Sequence, residues 1–154
     1  KHPSDIPSHW ENMDWEDLKY LVDNDHVIGC HTKTHARLSL VSDSSDLMTE
    51  MLESAKILEK ELNINIDHFA YPFGDLNSFS AAALNIAKSK FKHIHSGLRG
   101  RNRLDDFEFL VLRDSVAGGT SVQEVLFYLN GWVDGLYVLD RRKFRTWEAS
   151  SCQR

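Results

Sequence analysis

The stretch "VIGCHTKTHARLS", residues 27–39, decides the fold class, because it joins a strand pattern to a polar loop. It begins with β-branched apolar residues, and a glycine closes the run before Cys30, which predicts a short buried strand. Two histidines follow four residues apart, His31 and His35. They are either ligands of one metal ion or polar residues that stabilise a turn, and their spacing alone leaves both interpretations open.

The segments on both sides of this stretch alternate between helix and strand patterns. Upstream, Asp14 is placed to cap a helix over "WEDLKYLVDND". Downstream, apolar residues recur every three or four positions in "SDSSDLMTEMLESAKILEKELN" and predict the clearest helix of the chain. The remaining predicted elements are, in order, the strand "DHFAYPFG", the helix "NSFSAAALNIAKSKF", the strands "KHIHSG" and "FEFLVLRDS", the helix "SVQEVLFYLNGW" and a last strand "GLYVLD". This alternation predicts parallel βαβ units and an α/β fold.

Length and composition predict one globular domain. The 154 residues fit a single unit over 1–154, with a lead-in at 1–12 and a polar C-terminal tail at 141–154. A net charge of -5 without a basic stripe argues against a nucleic-acid partner. No apolar run approaches the ~20 residues of a membrane span. The start of the chain has no signal-peptide core, and two cysteines form no disulfide framework, so the compartment cannot be inferred.

Polar or turn-forming residues follow the first four predicted strands. In parallel α/β folds, catalytic groups gather beyond the carboxyl ends of the strands. We therefore expect four groups to share one rim: the pair His31 and His35, the turn Tyr71-Pro72-Phe73-Gly74, His95, and Arg113-Asp114.

Two of these groups resemble motifs of one family. "IGCHTKTHARLS" resembles the H-[ST]-x-x-H motif of the polysaccharide deacetylases, the NodB-homology or carbohydrate esterase 4 family. "FAYPFG" resembles the next motif of that family, and flanking segments agree over most of residues 10–140. The resemblance implies an irregular (β/α) barrel and hydrolysis of an N-acetyl or similar amide, with a divalent metal, usually zinc.

The resemblance also implies roles for the histidine segment and the aromatic turn. His31 and His35 would bind the metal, and the Thr32 hydroxyl would steady their loop. The Phe73 backbone N–H would face the developing oxyanion, and Gly74 would let the loop approach the substrate. Tyr71 and Pro72 would complete this turn, for which an ordinary aromatic turn is the alternative interpretation.

Two further motifs of the family are not matched. "KHPSDIPSHW" contains no aspartate pair of the kind that supplies a third ligand and a general base, and Asp105-Asp106 precedes a strand instead of following one. "LYVLD" stands where a late leucine-x-histidine motif is expected. We therefore expect a barrel that is incomplete at its N-terminus. Its "HVIGC" strand would have an exposed edge and would associate with another copy or another segment.

Three residues are candidates to supply part of the missing chemistry. His95 is a candidate general acid, and the alternative is an ordinary loop histidine. The resemblance implies that Arg113 pairs with a catalytic aspartate and lowers the pKa of that aspartate, and the alternative is an ion pair with Asp114 or with a neighbouring loop. Asp114 is itself an alternative metal ligand.

Three functions remain open from the sequence. The first is deacetylation of an acetylated polysaccharide or oligosaccharide. The second is hydrolysis of a non-sugar amide or ureide on the same fold, and the third is a non-catalytic binding or scaffold domain. Members of the family are often extracytoplasmic in bacteria, and the sequence does not indicate which substrate is used.

Overall fold

The structure is a computed structural model that describes residues 12–102 and 109–151. Its parallel sheet has the order β1 (His68–Ala70), β2 (His93–His95) and β3 (Leu110–Val111). The helices are α1 (Trp15–Asp23), α2 (Ser44–Met48), α3 (Ser54–Leu62), α4 (Ala81–Lys90), α5 (Val122–Leu129) and α6 (Val138–Ser151). The predicted α/β class is confirmed. Residues 1–11 and Asp105-Asp106, about which the sequence analysis makes predictions, lie outside the described residues.

The predicted strand before the histidines is an extended segment that joins the sheet at one residue. Cys30 forms a parallel bridge with Phe69. Its N–H donates to the His68 carbonyl at 2.8 Å, and its carbonyl accepts from the Ala70 N–H at 2.9 Å. The histidine loop therefore leaves the sheet beside the end of β1.

The two faces of the sheet differ in polarity. Side chains alternate between faces along a strand, and the face that carries Phe69, Ile94 and Leu110 packs against the helices. The helical side of this core is formed by Leu47, Met51, Ala55, Ala83, Leu84 and Ala87. The opposite face carries His68 and His95, which are only partly buried. Apolar burial thus holds the strands on one side and leaves polar groups on the other.

The start of α1 matches the cap predicted from the sequence. The Asp14 carboxylate accepts from the N–H groups of Glu16 and Asp17 at 2.8 and 3.0 Å. The Asp17 carboxylate accepts in turn from the Asp14 N–H at 3.1 Å. This reciprocal capping box satisfies N–H groups that have no partner inside the helix.

The long helix predicted after the histidines is present but irregular. It begins after the cap residue Asp43, and a π-helical turn, Thr49–Glu53, joins α2 to α3. The helix ends before Asn63, which adopts the left-handed conformation with φ of 53°. Such π-helical turns frequently occur at functional sites, and this one carries Glu50.

The end of the chain corrects one expectation and contains a helix that was not predicted. The predicted strand "GLYVLD" is wrong, because a 3₁₀ turn at Asp134–Tyr137 leads directly into α6. The predicted polar tail at 141–154 is helical as far as Ser151. The physical reason is an aromatic pair three residues apart, since Phe144 and Trp147 both pack on Phe79 while Arg145 and Thr146 between them are exposed.

None of the helices that the structure describes is long and apolar enough to cross a membrane.

Candidate active site

The two histidines of the opening stretch lie together. The rings of His31 and His35 pack edge to face with their centroids 4.9 Å apart. The Nδ1 atom of His31 is 2.7 Å from the Ala70 carbonyl oxygen. Because a carbonyl only accepts, Nδ1 carries the proton, and in a neutral ring Nε2 is then the nitrogen with a free lone pair. This hydrogen bond sets the tautomer that an Nε2 metal ligand requires.

The loop that carries the histidines has an unusual backbone. Thr32 and His35 have φ angles of 66° and 59°, in the left-handed region that favours glycine. Phe73, in the neighbouring turn, has a φ of 63°. A non-glycine residue held there costs on the order of 1–3 kcal/mol, and such strain persists only where surrounding contacts impose it.

Glu50 makes the contacts that impose this loop conformation. Its carboxylate accepts from the N–H groups of Lys33 and Thr34 at 3.0 and 2.9 Å and from the Thr34 hydroxyl at 2.7 Å. Burial raises the pKa of the Glu50 carboxyl, but the hydrogen bonds from Thr34 and Lys33 outweigh burial and leave that pKa below its usual value. An ionised Glu50 therefore braces the loop at neutral pH.

The sequence predicted that the Thr32 hydroxyl steadies this loop. In the structure, the threonine hydroxyl that donates to Glu50 belongs to Thr34 instead. Within residues 12–102 and 109–151, the buried Thr32 hydroxyl has no hydrogen-bond partner. The Thr32 backbone N–H bonds the Cys30 sulfur, which also lies 3.1 Å from the Ser54 hydroxyl. Cys30 is fully buried in the core, and burial is the main cause that raises the pKa of its thiol.

The Phe73 turn lies against the histidine loop. The Phe73 ring is 5.0 Å from the His35 ring, centroid to centroid, and the Arg37 guanidinium lies 4.3 Å above it. The Gly74 N–H closes the turn by donating to the Pro72 carbonyl at 2.7 Å. In the described part of the chain, no hydrogen bond uses the Phe73 N–H.

Gly74 has a reason within the fold for lacking a side chain. A Cβ atom there would lie 2.3 Å from the Gly97 nitrogen, whose N–H donates to the Gly74 carbonyl at 2.8 Å. The close approach of Gly74 to the loop after β2 is therefore sufficient to explain why a glycine is required at this position, and no contact with a substrate is needed. Tyr71 and Pro72 are buried, and the Tyr71 ring packs on Phe69 in the core.

An ion pair that sequence reasoning missed connects the histidine loop to the Phe73 turn. Arg37 donates to Asp75 at 2.8 Å and to the Ser78 hydroxyl at 3.0 Å. The hydrogen bond from Arg37 is the main reason that the Asp75 pKa is lowered. The only local signal in the sequence was an arginine two positions after His35, which does not identify its partner 38 residues away.

His95 and Arg113 lie at the ends of their strands, as predicted, but bond other groups. His95 Nε2 is 3.0 Å from His68 Nδ1, and Arg113 Nε donates to the Ser96 carbonyl at 2.8 Å. Burial is the main cause that lowers the His95 pKa, and the nearby Arg113 charge adds to it. No ion pair joins Arg113 to Asp114 in the part of the chain that the structure describes.

The donor set fits a metal ion in part. Among the described residues, no three His, Cys, Asp or Glu side chains are placed to hold one ion, so Asp114 does not join the histidine pair. Catalytic zinc typically has three protein ligands and a water. The adjacent rings and the tautomer of His31 suit two of those three positions.

The fold and these motifs define a polysaccharide-deacetylase type of α/β protein, and comparison with known proteins agrees. The family model "Polysaccharide deacetylase" matches residues 6–90, more than half of the chain. The chain therefore belongs to the polysaccharide deacetylase family. A search of curated proteins gives no match.

Solved structures show the same fold. The Streptococcus pyogenes deacetylase PplD, in complex with acetate, aligns with a TM-score of 0.67 and 22% identity, covering 79% of this chain and 52% of that chain. A polysaccharide deacetylase from Bacillus cereus, BC0361, aligns with a TM-score of 0.65 and 19% identity, covering 79% and 38%. This chain thus spans about half or less of the length of these structures.

Proposed function

We propose that this chain supplies the histidine pair and the oxyanion donor of a site that hydrolyses N-acetyl groups on a polysaccharide or oligosaccharide. The observation that carries the proposal is the adjacency of His31, His35 and the Phe73 turn, with His31 set in the tautomer of a metal ligand. Family membership supports the substrate class. Imidazole ligands suit zinc, as they also suit copper, iron and nickel.

Each residue of the site has a task that follows from its contacts. His31 and His35 would hold the metal, which, when bound, supplies an acidified water and polarises the acyl oxygen. The Phe73 N–H, which bonds no described group, is available to a developing oxyanion. Glu50 and the Arg37–Asp75 pair keep these groups in place. The buried Thr32 hydroxyl, next to His31, is available to a carboxylate or a water.

Metal binding tests the first part of the proposal. The wild-type chain is titrated with Co²⁺, whose visible absorption reports ligand number, and with Zn²⁺ in competition. His31→Ala and His35→Ala should each abolish the signal, whereas His26→Ala should not, because His26 is exposed on the loop before the strand. Unchanged metal binding in both site variants would show that the ligands lie elsewhere.

Acetate release from N-acetylglucosamine oligomers tests the second part. A placed general base contributes a typical 10²–10⁴-fold, and no aspartate is grouped with the histidines among the described residues. We therefore expect slow turnover by residues 1–154. Joining the chain to a segment with an aspartate pair at a strand end should increase turnover, and His31→Ala should remove the gain. Fast zinc-dependent turnover by residues 1–154 alone would contradict this assignment and make Asp114 the next candidate.

The same assay separates the alternative functions. A cyclic amide or ureide hydrolysed faster than the acetylated sugars would favour a non-sugar substrate. Metal binding and sugar binding without turnover, even after the aspartate segment is joined, would favour a non-catalytic binding domain.

A further inference from the structure

Large apolar side chains are concentrated at the surface between residues 122 and 139. Leu129, Trp132 and Leu136 expose 75%, 76% and 74% of their area. Single exposed apolar residues are ordinary, whereas a contiguous group of them marks an interaction site. We call this group the Trp132 patch, and its members are Val122, Leu126, Phe127, Leu129, Trp132, Leu136 and Leu139.

Helix α5 forms without burying any of its residues. Its start is fixed by a capping box, in which the Ser121 hydroxyl accepts from the Glu124 N–H at 3.3 Å and the Glu124 carboxylate accepts from the Ser121 N–H at 2.8 Å. Val122, Leu126 and Leu129 recur at helical spacing and share one exposed face. Most helices in proteins are stabilised by packing such a face. In α5 the apolar face is left at the surface.

Arg99 joins α5 to the turn that follows it. Its guanidinium lies 5.4 Å from the centre of the Tyr128 ring in α5 and 5.2 Å from that of the Tyr137 ring, and it donates to the Tyr137 hydroxyl at 2.9 Å. The Trp132 ring lies between these elements in sequence and packs edge to face on Phe127 at 5.4 Å. The exposed residues of α5 and of the turn before α6 therefore belong to one surface.

Cations lie beside the apolar residues on α6. Arg142 and Lys143 are exposed, and they follow Leu139 by three and four residues. Side chains at this spacing share one face of a helix. A face with apolar side chains and cations together suits a partner that offers anionic groups above an apolar layer.

The carboxylates of this region do not cancel the cations. Asp134 pairs with Arg101 at 3.2 Å, and Asp140 lies 3.8 Å from Lys143. Among the described residues of 122–143 and the arginines that contact them, the cations outnumber the carboxylates: Arg99, Arg101, Arg141, Arg142 and Lys143, against Glu124, Asp134 and Asp140. Because the whole chain has a net charge of -5, this positive charge is a local property of the patch.

We propose that the Trp132 patch binds the surface of a membrane that contains anionic lipids. Trp132 and Leu136 would enter the boundary between head groups and acyl chains, while Arg142 and Lys143 contact the anionic head groups. A second copy of the chain suits this surface less well, because a two-fold contact would bring the same cations together. The proposal does not depend on the deacetylase function.

Vesicle co-sedimentation with the 154-residue chain tests the proposal. Vesicles of phosphatidylcholine alone are compared with vesicles in which phosphatidylserine is about one third of the lipid, at about 0.1 M salt. We expect at least about tenfold tighter binding to the anionic vesicles, and weaker binding at about 1 M salt, where the Debye length is only about 3 Å. Tryptophan fluorescence should shift to shorter wavelength on the anionic vesicles, and Trp132→Phe should remove that shift.

Removing the two cations tests the electrostatic part. Each cation near an anionic surface contributes about fivefold in affinity, so Arg142→Gln combined with Lys143→Gln should weaken binding about twenty-five-fold. The matched control is Lys56→Gln combined with Lys60→Gln, which removes two exposed lysines from α3 and should leave binding near the wild-type value.

Shortening the apolar side chains tests the second part. Trp132→Ala should weaken binding to the anionic vesicles about tenfold, and Leu136→Ala should weaken it in the same direction by less. Leu40→Ala is the matched control, because Leu40 is 79% exposed and lies in the turn after the histidine loop, outside the patch.

Three outcomes would overturn the proposal. These are equal binding to the two kinds of vesicle, an equal loss of binding in the control variants, and a dimer by light scattering that Trp132→Ala dissociates while the wild type binds no vesicles. The last result would assign the patch to a second copy. Circular dichroism shows whether each variant is folded, and Leu136→Ala provides the apolar test if Trp132→Ala does not fold.

Discussion

Replacing Glu50 should loosen the histidine loop without disturbing the core. Glu50 accepts three hydrogen bonds from Lys33 and Thr34, at 2.7–3.0 Å. Hydrogen bonds to a charged group contribute about 1.5–3 kcal/mol each when buried, and Glu50 is only half-buried. We therefore expect Glu50→Ala to lower the free energy of unfolding by about 2 kcal/mol in total, after discounting for solvent.

Amide hydrogen exchange measures this effect at the bonds themselves. In Glu50→Ala, the amides of Lys33 and Thr34 should exchange about tenfold to thirtyfold faster than in the wild type, which corresponds to about 1.4–2 kcal/mol. The exchange rates of core amides, such as that of Ile94, should change less. Glu50→Gln should have a smaller effect, since one amide oxygen can still accept from both N–H groups. Glu53→Ala is the control, because Glu53 lies in the same π-helical turn and is exposed.

The same variant should weaken metal binding. Residues that orient a ligand typically change metal affinity by about 10–100-fold. The folded pKa of Glu50 is lowered, so its contribution is present above its ordinary value of 4.5 and is lost as pH falls through the folded pKa. If the Lys33 and Thr34 amides exchange at wild-type rates in Glu50→Ala, or if Glu53→Ala has the same effect, Glu50 does not brace the loop.

Three further predictions follow from the fold. Gly74→Ala should lower the free energy of unfolding, measured by urea denaturation, by about 1–3 kcal/mol, because φ at Gly74 is 68° and the new Cβ would meet the Gly97 backbone. Gly118→Ala is the control and should have little effect, because no atom lies within 4 Å of the new Cβ. Burial lowers the pKa of both His68 and His95 below 6.5, so the unfolded chain binds more protons than the folded chain near this pH. The free energy of unfolding should therefore fall as pH drops below about 6.5. His68→Gln should make the free energy of unfolding depend less on pH. The sequence predicts an exposed edge at 27–30, which should cause association that depends on concentration; light scattering that shows a monomer at every concentration would contradict this prediction.

The sequence was informative where a short pattern determines the structure. The apolar run that ends at Cys30 placed His31 directly after the segment that bridges to the sheet, and the capping signal at Asp14 located α1, because both depend on residues within a few positions. The two motifs located the histidine loop and the Phe73 turn for the same reason. Their roles in chemistry remain predictions.

The groups that hold the site in shape could not be predicted. Glu50 bonds Thr34 16 residues away, and Arg37 bonds Asp75 38 residues away, so each partner is set by packing and not by local spacing. The C-terminal helix was missed for a related reason. Its charged residues predict a solvated tail, and the two aromatic residues Phe144 and Trp147 become a helical face only when Phe79 is there to receive them.

The strained residues of the site are held by the chain itself. Thr32, His35 and Phe73 all lie in the left-handed region. On either side of Thr32, His31 donates to the Ala70 carbonyl, and the Lys33 and Thr34 N–H groups donate to the Glu50 carboxylate. Such conformations are unfavourable alone and need surrounding contacts to persist. Because these contacts come from β1 and the π-helical turn, the histidine pair is set before any ligand arrives. A metal ion and its remaining ligand would therefore bind to an arrangement that the fold has already made, instead of organising it.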